Sequence, residues 1–145
     1  MSTYKPELKG KIAELLRDKS ALNSNKQPIN ISGKTLTKYN LDETVVNNLN
    51  VIDSILVKYA HRKSKISNTV YKNTVFDSAS FTESTLTNVT FENVKFIETG
   101  FIETTFIDVV FKNCKIIGDS FLGAKGKIKF IDSDIDSVEF HQAQA

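Results

Sequence analysis

The chain has 145 residues, of which 40% are hydrophobic, and it contains only two prolines and six glycines. This composition excludes a disordered or linker-dominated chain and suits one domain or a repeat array with a cap. No segment approaches the roughly 18 apolar residues of a membrane span, and the polar start is unlike a cleaved signal. A single cysteine, Cys114, excludes an internal disulfide. We therefore expect a cytoplasmic protein, with a signal-independent route of secretion left open.

Charge is unevenly distributed although the net value is only +2. Residues 1–70 carry 12 Lys/Arg against 6 Asp/Glu, whereas residues 71–145 carry 7 against 11. Such asymmetry indicates either two partners or a self-complementary contact. A lysine-rich cap joined to an acid-bearing array that simply remains soluble explains it equally well.

The first third of the chain predicts two helices. From Glu7 to about Asn23, apolar residues recur near helical spacing with charged residues between them, which predicts a short amphipathic helix. Asn40 and Glu43 form an N-cap pair ahead of a second helical pattern. The apolar members of this second pattern are Val45, Leu49, Ile52, Leu56 and Tyr59.

The basic run at residues 61–65 follows the second predicted helix and suits a helix C-terminus. The alternative interpretation of this run is a nucleic-acid-binding patch. Ile31, Leu36 and Leu41 lie five residues apart, which indicates either a degenerate first coil of a repeat or a coincidence.

An apolar residue, usually phenylalanine, occupies every fifth position in the C-terminal half. Neither a helix nor a flat strand keeps every fifth residue on one side, so the backbone must turn once per repeat. Phe130 and Phe140 resume the spacing around Ile135, after a gap. We call the set of fifth residues the ladder: Tyr71, Phe76, Phe81, Leu86, Phe91, Phe96, Phe101, Phe106, Phe111, Ile116 and Phe121.

Two further rows follow from the phase of the ladder. Residues two positions before it are small or β-branched and predict a second inward row: Thr74, Ala79, Ser84, Val89, Val94, Thr99, Thr104, Val109 and Cys114. Residues two positions after it are mostly turn formers, which predicts corners there: Asn73, Ser78, Glu83, Asn88, Asn93, Glu98, Glu103, Asp108, Asn113 and Gly118. We therefore expect Cys114 to be a buried thiol with a structural role.

In segments such as Ala79-Ser80-Phe81-Thr82-Glu83, the pattern resembles the pentapeptide repeat family in its Phe-centred form, over about residues 71–140. The resemblance implies a right-handed, four-sided β-helix in which four repeats close one coil. Residues twenty apart should then stack, for example Phe76 on Phe96. We therefore expect an all-β solenoid, a right-handed quadrilateral β-helix over residues 66–145 preceded by an α-helical cap region over residues 1–65.

The pattern breaks between Phe121 and Phe130, which lie nine residues apart. Asp119 occupies an inward position, where an unpaired carboxylate is costly. Three glycines supply backbone freedom, so we expect a bulge or a loop here: Gly118, Gly123 and Gly126. Lys125, Lys127 and Lys129 form a basic cluster in the same segment. A functional loop and a tolerated insertion both remain open.

The residue just after each ladder residue should face solvent. This position is polar at Asp77, Thr82, Thr87 and Glu92, and further along the chain it is apolar except at Lys112. We call the apolar members the apolar stripe: Ile97, Ile102, Ile107, Ile117 and Leu122. An exposed stripe typically marks a contact surface. We take these residues with Lys125 and Lys127 as the candidate binding site, covered by the N-terminal helices, by a second copy or by another protein.

No catalytic constellation is evident, since His61 and His141 are far apart in sequence and the cysteine is expected inside. We predict no enzyme, no metal and no cofactor. The leading hypothesis is a protein-interaction module, a scaffold or a bacterial accessory or effector factor. The resemblance implies two alternatives: end-to-end homodimerisation, and binding to DNA gyrase by mimicry of DNA. Nucleic-acid binding through the basic N-terminal half is a further option.

Overall fold

The computed structural model describes residues 4–136, and two short helices precede a long series of strands in it. The helices are α1 (Lys11–Leu16) and α2 (Lys19–Ser24). The strands are β1 (Ile29–Ser32), β2 (Thr35–Thr37), β3 (Val45–Asn47), β4 (Leu49–Ile52), β5 (Ile55–Val57), β6 (Lys65–Lys72), β7 (Val75–Asp77), β8 (Thr85–Glu92), β9 (Lys95–Ile97), β10 (Thr105–Lys112), β11 (Lys115–Ile117), β12 (Lys125–Ile131) and β13 (Asp134–Asp136).

The strands form a four-sided solenoid in which each residue pairs with the one about twenty positions away. One sheet runs β1-β4-β6-β8-β10-β12, with β3 also on β6, and it bends over two faces. The other sheet runs β13-β11-β9-β7-β5-β2 and forms the third face. Single parallel bridges form the fourth face, which we call the bridge face: Asn40, Ala60, Ser80, Gly100 and Ser120. The predicted quadrilateral β-helix is confirmed.

The corners explain how a five-residue repeat builds four flat faces. A residue with positive φ recurs at every fifth position from Gly33 to Gly123, with values between 48° and 68°. Most of these residues are asparagine, aspartate, glutamate or lysine, and such left-handed conformations turn the chain after each short extended segment. The predicted corner positions are therefore confirmed.

The ladder fills the interior with aromatic columns. Phe76 stacks on Phe96 at a centroid distance of 5.3 Å, and Phe81 stacks on Phe101 at the same distance. Interplanar angles of 4° and 6° show that the rings lie nearly parallel. Ladder residues from Tyr71 to Phe121 are at most 1% exposed. The predicted twenty-residue stacking is confirmed.

The second predicted helix is wrong, because residues 45–57 form β3, β4 and β5. The helical pattern mixed two rows of the solenoid: Leu49 and Leu56 point inward, whereas Val45 is 54% exposed. The true period is five, and the ladder extends back to Ile31 through Leu36, Leu41, Val46, Val51, Leu56, His61 and Ile66. The solenoid therefore begins at β1, and the helical part of the predicted cap is confined to α1 and α2.

The first predicted helix is interrupted between α1 and α2. The Asp18 side chain accepts a hydrogen bond from the Ala21 backbone N–H at 3.1 Å and so begins a new helix. The Arg17 guanidinium carbon lies 3.7 Å from the centre of the Tyr39 ring. Leu8 N–H donates to the Thr35 carbonyl at 2.8 Å, which pairs the N-terminal segment with the first coil. The helices therefore cap the N-terminal end of the solenoid.

At the opposite end the repeat is one residue short. Residues Phe106 and Gly126 pair, and so do Val109 and Ile128, which leaves two residues of β10 opposite one of β12. The predicted bulge is confirmed, but no loop projects, because β12 continues through this position. Phe130 stacks on Phe111 at 5.1 Å and is only partly buried. The predicted ladder position of Phe140 lies outside the described residues.

Candidate functional site

The apolar stripe lies on three adjacent faces near the C-terminal end of the solenoid. Ile97 and Ile117 are paired neighbours on β9 and β11. Ile102 and Leu122 follow bridge residues Gly100 and Ser120 on the bridge face. These four side chains are partly buried, and Ile107, on β10, is 46% exposed. The stripe residues therefore lie on three neighbouring faces.

One coil before the stripe, the same columns are polar. On the bridge face, the positions one, two and three coils before Ile102 are Thr82, Arg62 and Asp42. Arg62 and Asp42 form an ion pair at 2.5 Å. Asp77 precedes Ile97 by one coil, and the two residues pair. The outward side chains of these columns therefore change from polar to apolar between the coil of Asp77 and the coil of Ile97, although the Ile97 column is apolar again at Val57.

The N-terminal helices do not cover the stripe. Asn23, in α2, accepts a hydrogen bond from the Val45 backbone N–H at 2.7 Å. Arg17 donates to the Lys38 and Thr37 carbonyls at 3.2 and 3.3 Å. Both contacts are with the first coil, about three coils away from Ile97. This leaves a second copy and another protein as candidate occupants.

Lys125 and Lys127, the other candidate binding residues, lie exposed on β12. Lys127 lines a groove of about 810 Å³ at the corner where β12 is shortened, whereas Lys125 does not. Its lining combines amide, hydroxyl, carboxylate, ammonium and apolar groups: Asn88, Thr90, Asp108, Val109, Val110, Lys127, Ile128 and Lys129. Gly126 is required here, because a Cβ atom at this position would lie 2.0 Å from the Phe106 carbonyl oxygen.

Cys114 occupies the inward row, as predicted. Its Sγ lies 3.2 Å from the Phe91 carbonyl oxygen and 3.5 Å from that of Lys112. Burial raises the pKa of the thiol to about 11. At neutral pH the sulfur is therefore protonated and donates to backbone carbonyls, as the serine and threonine hydroxyls of this row do.

A buried polar cluster around His61 was missed at the sequence level. Thr44 Oγ1 donates to the Leu41 carbonyl at 2.6 Å, so it accepts from His61 Nε2–H at 3.2 Å. Tyr59 then donates its hydroxyl to His61 Nδ1 at 3.1 Å. Burial lowers the pKa of His61 to about 3, so the ring is neutral. The signal for this cluster was the position of His61, five residues from Leu56 and from Ile66.

The run at residues 61–65 is therefore not a helix end. His61 and Ser64 are buried, and Arg62 is paired with Asp42. Lys63 lies 3.9 Å from the Glu83 carboxylate, one coil away. A nucleic-acid-binding patch on this run, the alternative interpretation, would consequently be interrupted by buried residues and by acidic neighbours.

Asp119 is the one carboxylate of the inward row among the described residues. Its Oδ1 accepts a hydrogen bond from the Thr99 backbone N–H at 2.8 Å, and its buried Oδ2 has no partner among the described residues. Burial raises the pKa of Asp119 to about 7, and the nearby Glu98 carboxylate adds to this effect. Serines of the same row make the same backbone contact without a charge, for example Ser84 with the Ser64 N–H at 3.0 Å.

The residues described hold no cluster of three or more His, Cys, Asp or Glu side chains arranged to bind a metal. Within residues 4–136, neither helix has the length and apolar character needed to cross a membrane.

Comparison with solved structures finds several proteins of similar shape at low sequence identity. Rfr23, a pentapeptide repeat protein from the cyanobacterium Cyanothece 51142, is 11% identical, with 77% of this chain and 83% of that chain covered and a TM-score of 0.45. QnrB1, a plasmid-mediated fluoroquinolone resistance protein, is 11% identical, with 76% of each chain covered and a TM-score of 0.44.

HetL, a pentapeptide repeat protein involved in heterocyst differentiation regulation in the cyanobacterium Nostoc sp. strain PCC 7120, is 14% identical. The alignment covers 89% of this chain and 70% of that chain, with a TM-score of 0.37. A search of curated protein sequences finds no significant match. The five-residue recurrence of positive φ and the buried ladder confirm the predicted pentapeptide repeat architecture.

Comparison with protein-family models gives a match to the family described as the SV2A/B/C luminal domain, over residues 50–140. The match begins within β4, and it therefore includes coils on both sides of His61. Because it spans more than half of the chain, this protein belongs to the SV2A/B/C luminal domain family.

Proposed function

We propose that this solenoid is a non-catalytic protein-interaction module that binds a partner protein through the apolar stripe. The observation that carries the proposal is the change in outward side chains along each column. Thr82 is followed by Ile102 and Leu122, and Asp77 by Ile97 and Ile117, on a backbone that is otherwise repeated. Neither the fold nor the corner geometry requires apolar side chains at these positions.

Three described residues of types that often perform chemistry are engaged in the interior, which supports the non-catalytic part of the proposal. His61 is neutral and hydrogen-bonded on both ring nitrogens. Cys114 is protonated and directed at backbone carbonyls. Asp119 is buried in the inward row. Each of these groups lacks the solvent access that a substrate needs.

An acidic, DNA-like surface receives no support from the side-chain arrangement. Glu83 and Glu103 occupy corners with positive φ, where they serve the turn. Glu92 lies 3.6 Å from Lys72 on the next coil, and Glu83 lies 3.9 Å from Lys63. Glu83 and Glu92 therefore each have a lysine one coil away, although Glu83 and Glu103 are also one coil apart, and gyrase binding by mimicry of DNA has no specific observation in its favour.

Affinity capture from the source lysate tests the proposal. We expect the wild-type protein to retain a partner that the double variant Ile102→Asp/Ile117→Asp does not, because each substitution places a charge in a desolvated contact. The matched control is Thr82→Asp/Thr87→Asp, which adds the same two charges to outward positions one coil before Ile102 and Ile107. Loss of the partner in the stripe variant alone supports the proposal.

The oligomeric state of the same variants separates a second copy from a different protein. If sedimentation shows a wild-type dimer that Ile102→Asp/Ile117→Asp converts to a folded monomer, the stripe binds a second copy. If the stripe variant stays folded with an unchanged oligomeric state and an unchanged set of captured proteins, the stripe is not an interface.

A further inference from the structure

A pocket of about 330 Å³ lies where the end of α2 meets the first two coils of the solenoid. This volume is at the small end of ligand pockets, so it suits a small molecule. Its lining combines four asparagine amides with a lysine, a valine and a serine: Asn23, Asn25, Lys26, Val45, Asn47, Ser67 and Asn68. We call it the amide pocket.

Two of these amides have their oxygen atoms engaged and their N–H groups unused. Asn23 Oδ1 accepts a hydrogen bond from the Val45 backbone N–H at 2.7 Å. Because a backbone N–H can only donate, this contact fixes the orientation of the Asn23 amide. Asn47 Oδ1 accepts from Asn68 Nδ2 at 2.8 Å and from the Ser67 hydroxyl at 3.5 Å. The Nδ2 groups of Asn23 and Asn47 donate to no described residue, so the pocket offers two amide donors.

The charge around the amide pocket is positive. Lys26 belongs to the lining, which has no aspartate or glutamate among the described residues. Lys65 pairs with Val45 between β6 and β3, so its exposed side chain lies beside the valine. Neither lysine forms an ion pair with a described residue. The acids that precede Val45, Asp42 and Glu43, line a separate groove with two basic residues.

Val45 gives the amide pocket an apolar wall. Its side chain is 54% exposed, which is unusual for a large apolar residue of this chain. The next outward positions of the same column are Lys65 and Thr85, so the coil does not require an apolar side chain here. An aliphatic group of a ligand would remove this apolar surface from water.

We propose that the amide pocket binds the carboxylate of a small organic acid that carries an aliphatic tail. Asn23 Nδ2 and Asn47 Nδ2 would donate to the carboxylate oxygens, and Lys26 would balance the charge. The tail would pack on Val45. Hydrogen bonds to a charged acceptor are stronger than those between neutral groups, so these donors favour a carboxylate over water or a neutral ligand.

The C-terminal end of α2 carries partial negative charge near the pocket and opposes an anion. Two of its carbonyl groups are already engaged. The Ala21 carbonyl accepts from the Ser24 hydroxyl at 3.3 Å, and the Leu22 carbonyl accepts from the Asn25 N–H at 3.2 Å. The full charge of Lys26, two residues beyond the helix, exceeds a helix-end charge of at most about half a unit.

The probe is isovalerate, at neutral pH. Isovaleramide is its neutral isostere, acetate is the acid without the aliphatic tail, and inorganic phosphate is an anion of different shape. Nuclear magnetic resonance of isotope-labelled protein follows the side-chain amide signals of Asn23 and Asn47 during each titration. These signals report on the pocket itself.

The protein variants change one group at a time. Asn23→Asp and Asn47→Asp each keep the accepting oxygen and replace the unused amide nitrogen with a carboxylate oxygen. Lys26→Gln removes the charge and leaves the amides in place. The matched control is Asn73→Asp, which makes the same change outside the pocket, at an amide whose Oδ1 accepts from Asn93 Nδ2 at 2.7 Å.

We expect isovalerate to shift both amide signals saturably. Isovaleramide should bind at least about tenfold more weakly, because it loses the charge-assisted hydrogen bonds. Acetate and phosphate should also bind more weakly than isovalerate. Asn23→Asp and Asn47→Asp should each weaken isovalerate binding at least about tenfold, and Lys26→Gln should weaken it less. Asn73→Asp should bind like the wild type.

Equal affinity for isovalerate and isovaleramide would overturn the proposal. Equal affinity for acetate or phosphate would also overturn it, because the site would then attract anions without selecting an aliphatic acid. Undiminished binding by Asn23→Asp and Asn47→Asp, with both proteins folded by circular dichroism, would have the same consequence. If either variant fails to fold, Lys26→Gln and the four ligands on the wild type decide the outcome.

These outcomes are independent of the proposed function of the apolar stripe. The amide pocket lies in the first two coils, and Ile102→Asp/Ile117→Asp leaves its lining unchanged. That variant should therefore bind isovalerate like the wild type.

Discussion

Two stretches of one solenoid share a backbone but differ in their interior. From Ile31 to Ile66 the ladder is aliphatic apart from His61, whereas from Tyr71 to Phe121 it is mainly phenylalanine. Both stretches have left-handed corners at every fifth residue and the same parallel pairing. The coil therefore depends on an inward ladder and on corners that accept positive φ. Phenylalanine side chains add packing contacts inside the coil, but the coil forms without them.

The interior of the phenylalanine stretch should be the more sensitive to truncation. Phe101→Ala should lower the free energy of unfolding by about 3 to 5 kcal/mol, because it removes a ring stacked on both Phe81 and Phe121. Leu56→Ala in the aliphatic stretch should cost about 2 to 4 kcal/mol. Chemical denaturation measures both, with Thr82→Ala as an outward control. Equal stability of Phe101→Ala and the wild type would contradict an inward ladder.

The buried histidine should make the aliphatic stretch sensitive to acid. The folded pKa of His61 is lowered from 6.5 to about 3, so the unfolded state binds a proton that the folded state excludes. The free energy of unfolding therefore decreases as the pH falls from about 6.5 towards 3. Between pH 6.5 and pH 4 the decrease should be about 3 kcal/mol. His61→Leu should remove this dependence. Parallel pH profiles for the two proteins would show that His61 is not the cause.

Asp119 should have the opposite effect in the phenylalanine stretch. Its folded pKa is raised from 3.8 to about 7, so the folded state keeps a proton that the unfolded state releases. Stability should fall as the pH rises from about 4 to about 7. In Asp119→Ser the new hydroxyl should accept the hydrogen bond from the Thr99 backbone N–H, as the Ser84 hydroxyl does from Ser64. This substitution should stabilise the protein by about 2 kcal/mol at pH 8 and less at pH 4. A gain that does not vary with pH would contradict this account.

The corners should respond alike in both stretches. Lys58 and Ser78 lie one coil apart with φ of 52° and 59°. Substitution of either by valine should cost about 1 to 2 kcal/mol, because a β-branched residue is strained there, and substitution by glycine should change little. Thermal melts of the four variants test the comparison. A cost confined to Ser78 would mean that the two stretches have different corners.

Sequence periodicity predicted the phenylalanine stretch, its stacking and its corners, because one residue type repeats there with few exceptions. It failed before residue 66 for two reasons. His61 interrupts the apolar ladder, and outward aliphatic residues such as Val45 produce an apparent helical spacing. The partners that make His61 acceptable, Tyr59 and Thr44, lie in the other inward row.

Long-range contacts set the limits of prediction at both ends. The position of the helical cap depends on the contact between the Arg17 guanidinium and the Tyr39 ring, and these two residues are far apart in sequence. The nine-residue spacing after Phe121 predicted an irregularity, but only the pairing with β10 shows that β12 is one residue short. The positions of the apolar stripe were predictable, because each stripe residue directly follows a ladder residue in the sequence. Its role in binding and the expected cytoplasmic location remain predictions.

The most direct test of the account is the dissociation constant of the captured partner for three purified proteins. We predict that Ile102→Asp/Ile117→Asp weakens binding at least about tenfold, corresponding to about 1.4 kcal/mol or more. Thr82→Asp/Thr87→Asp should bind like the wild type. Equal affinity of all three proteins, with the solenoid intact by circular dichroism, would contradict the assignment of the apolar stripe as the binding surface.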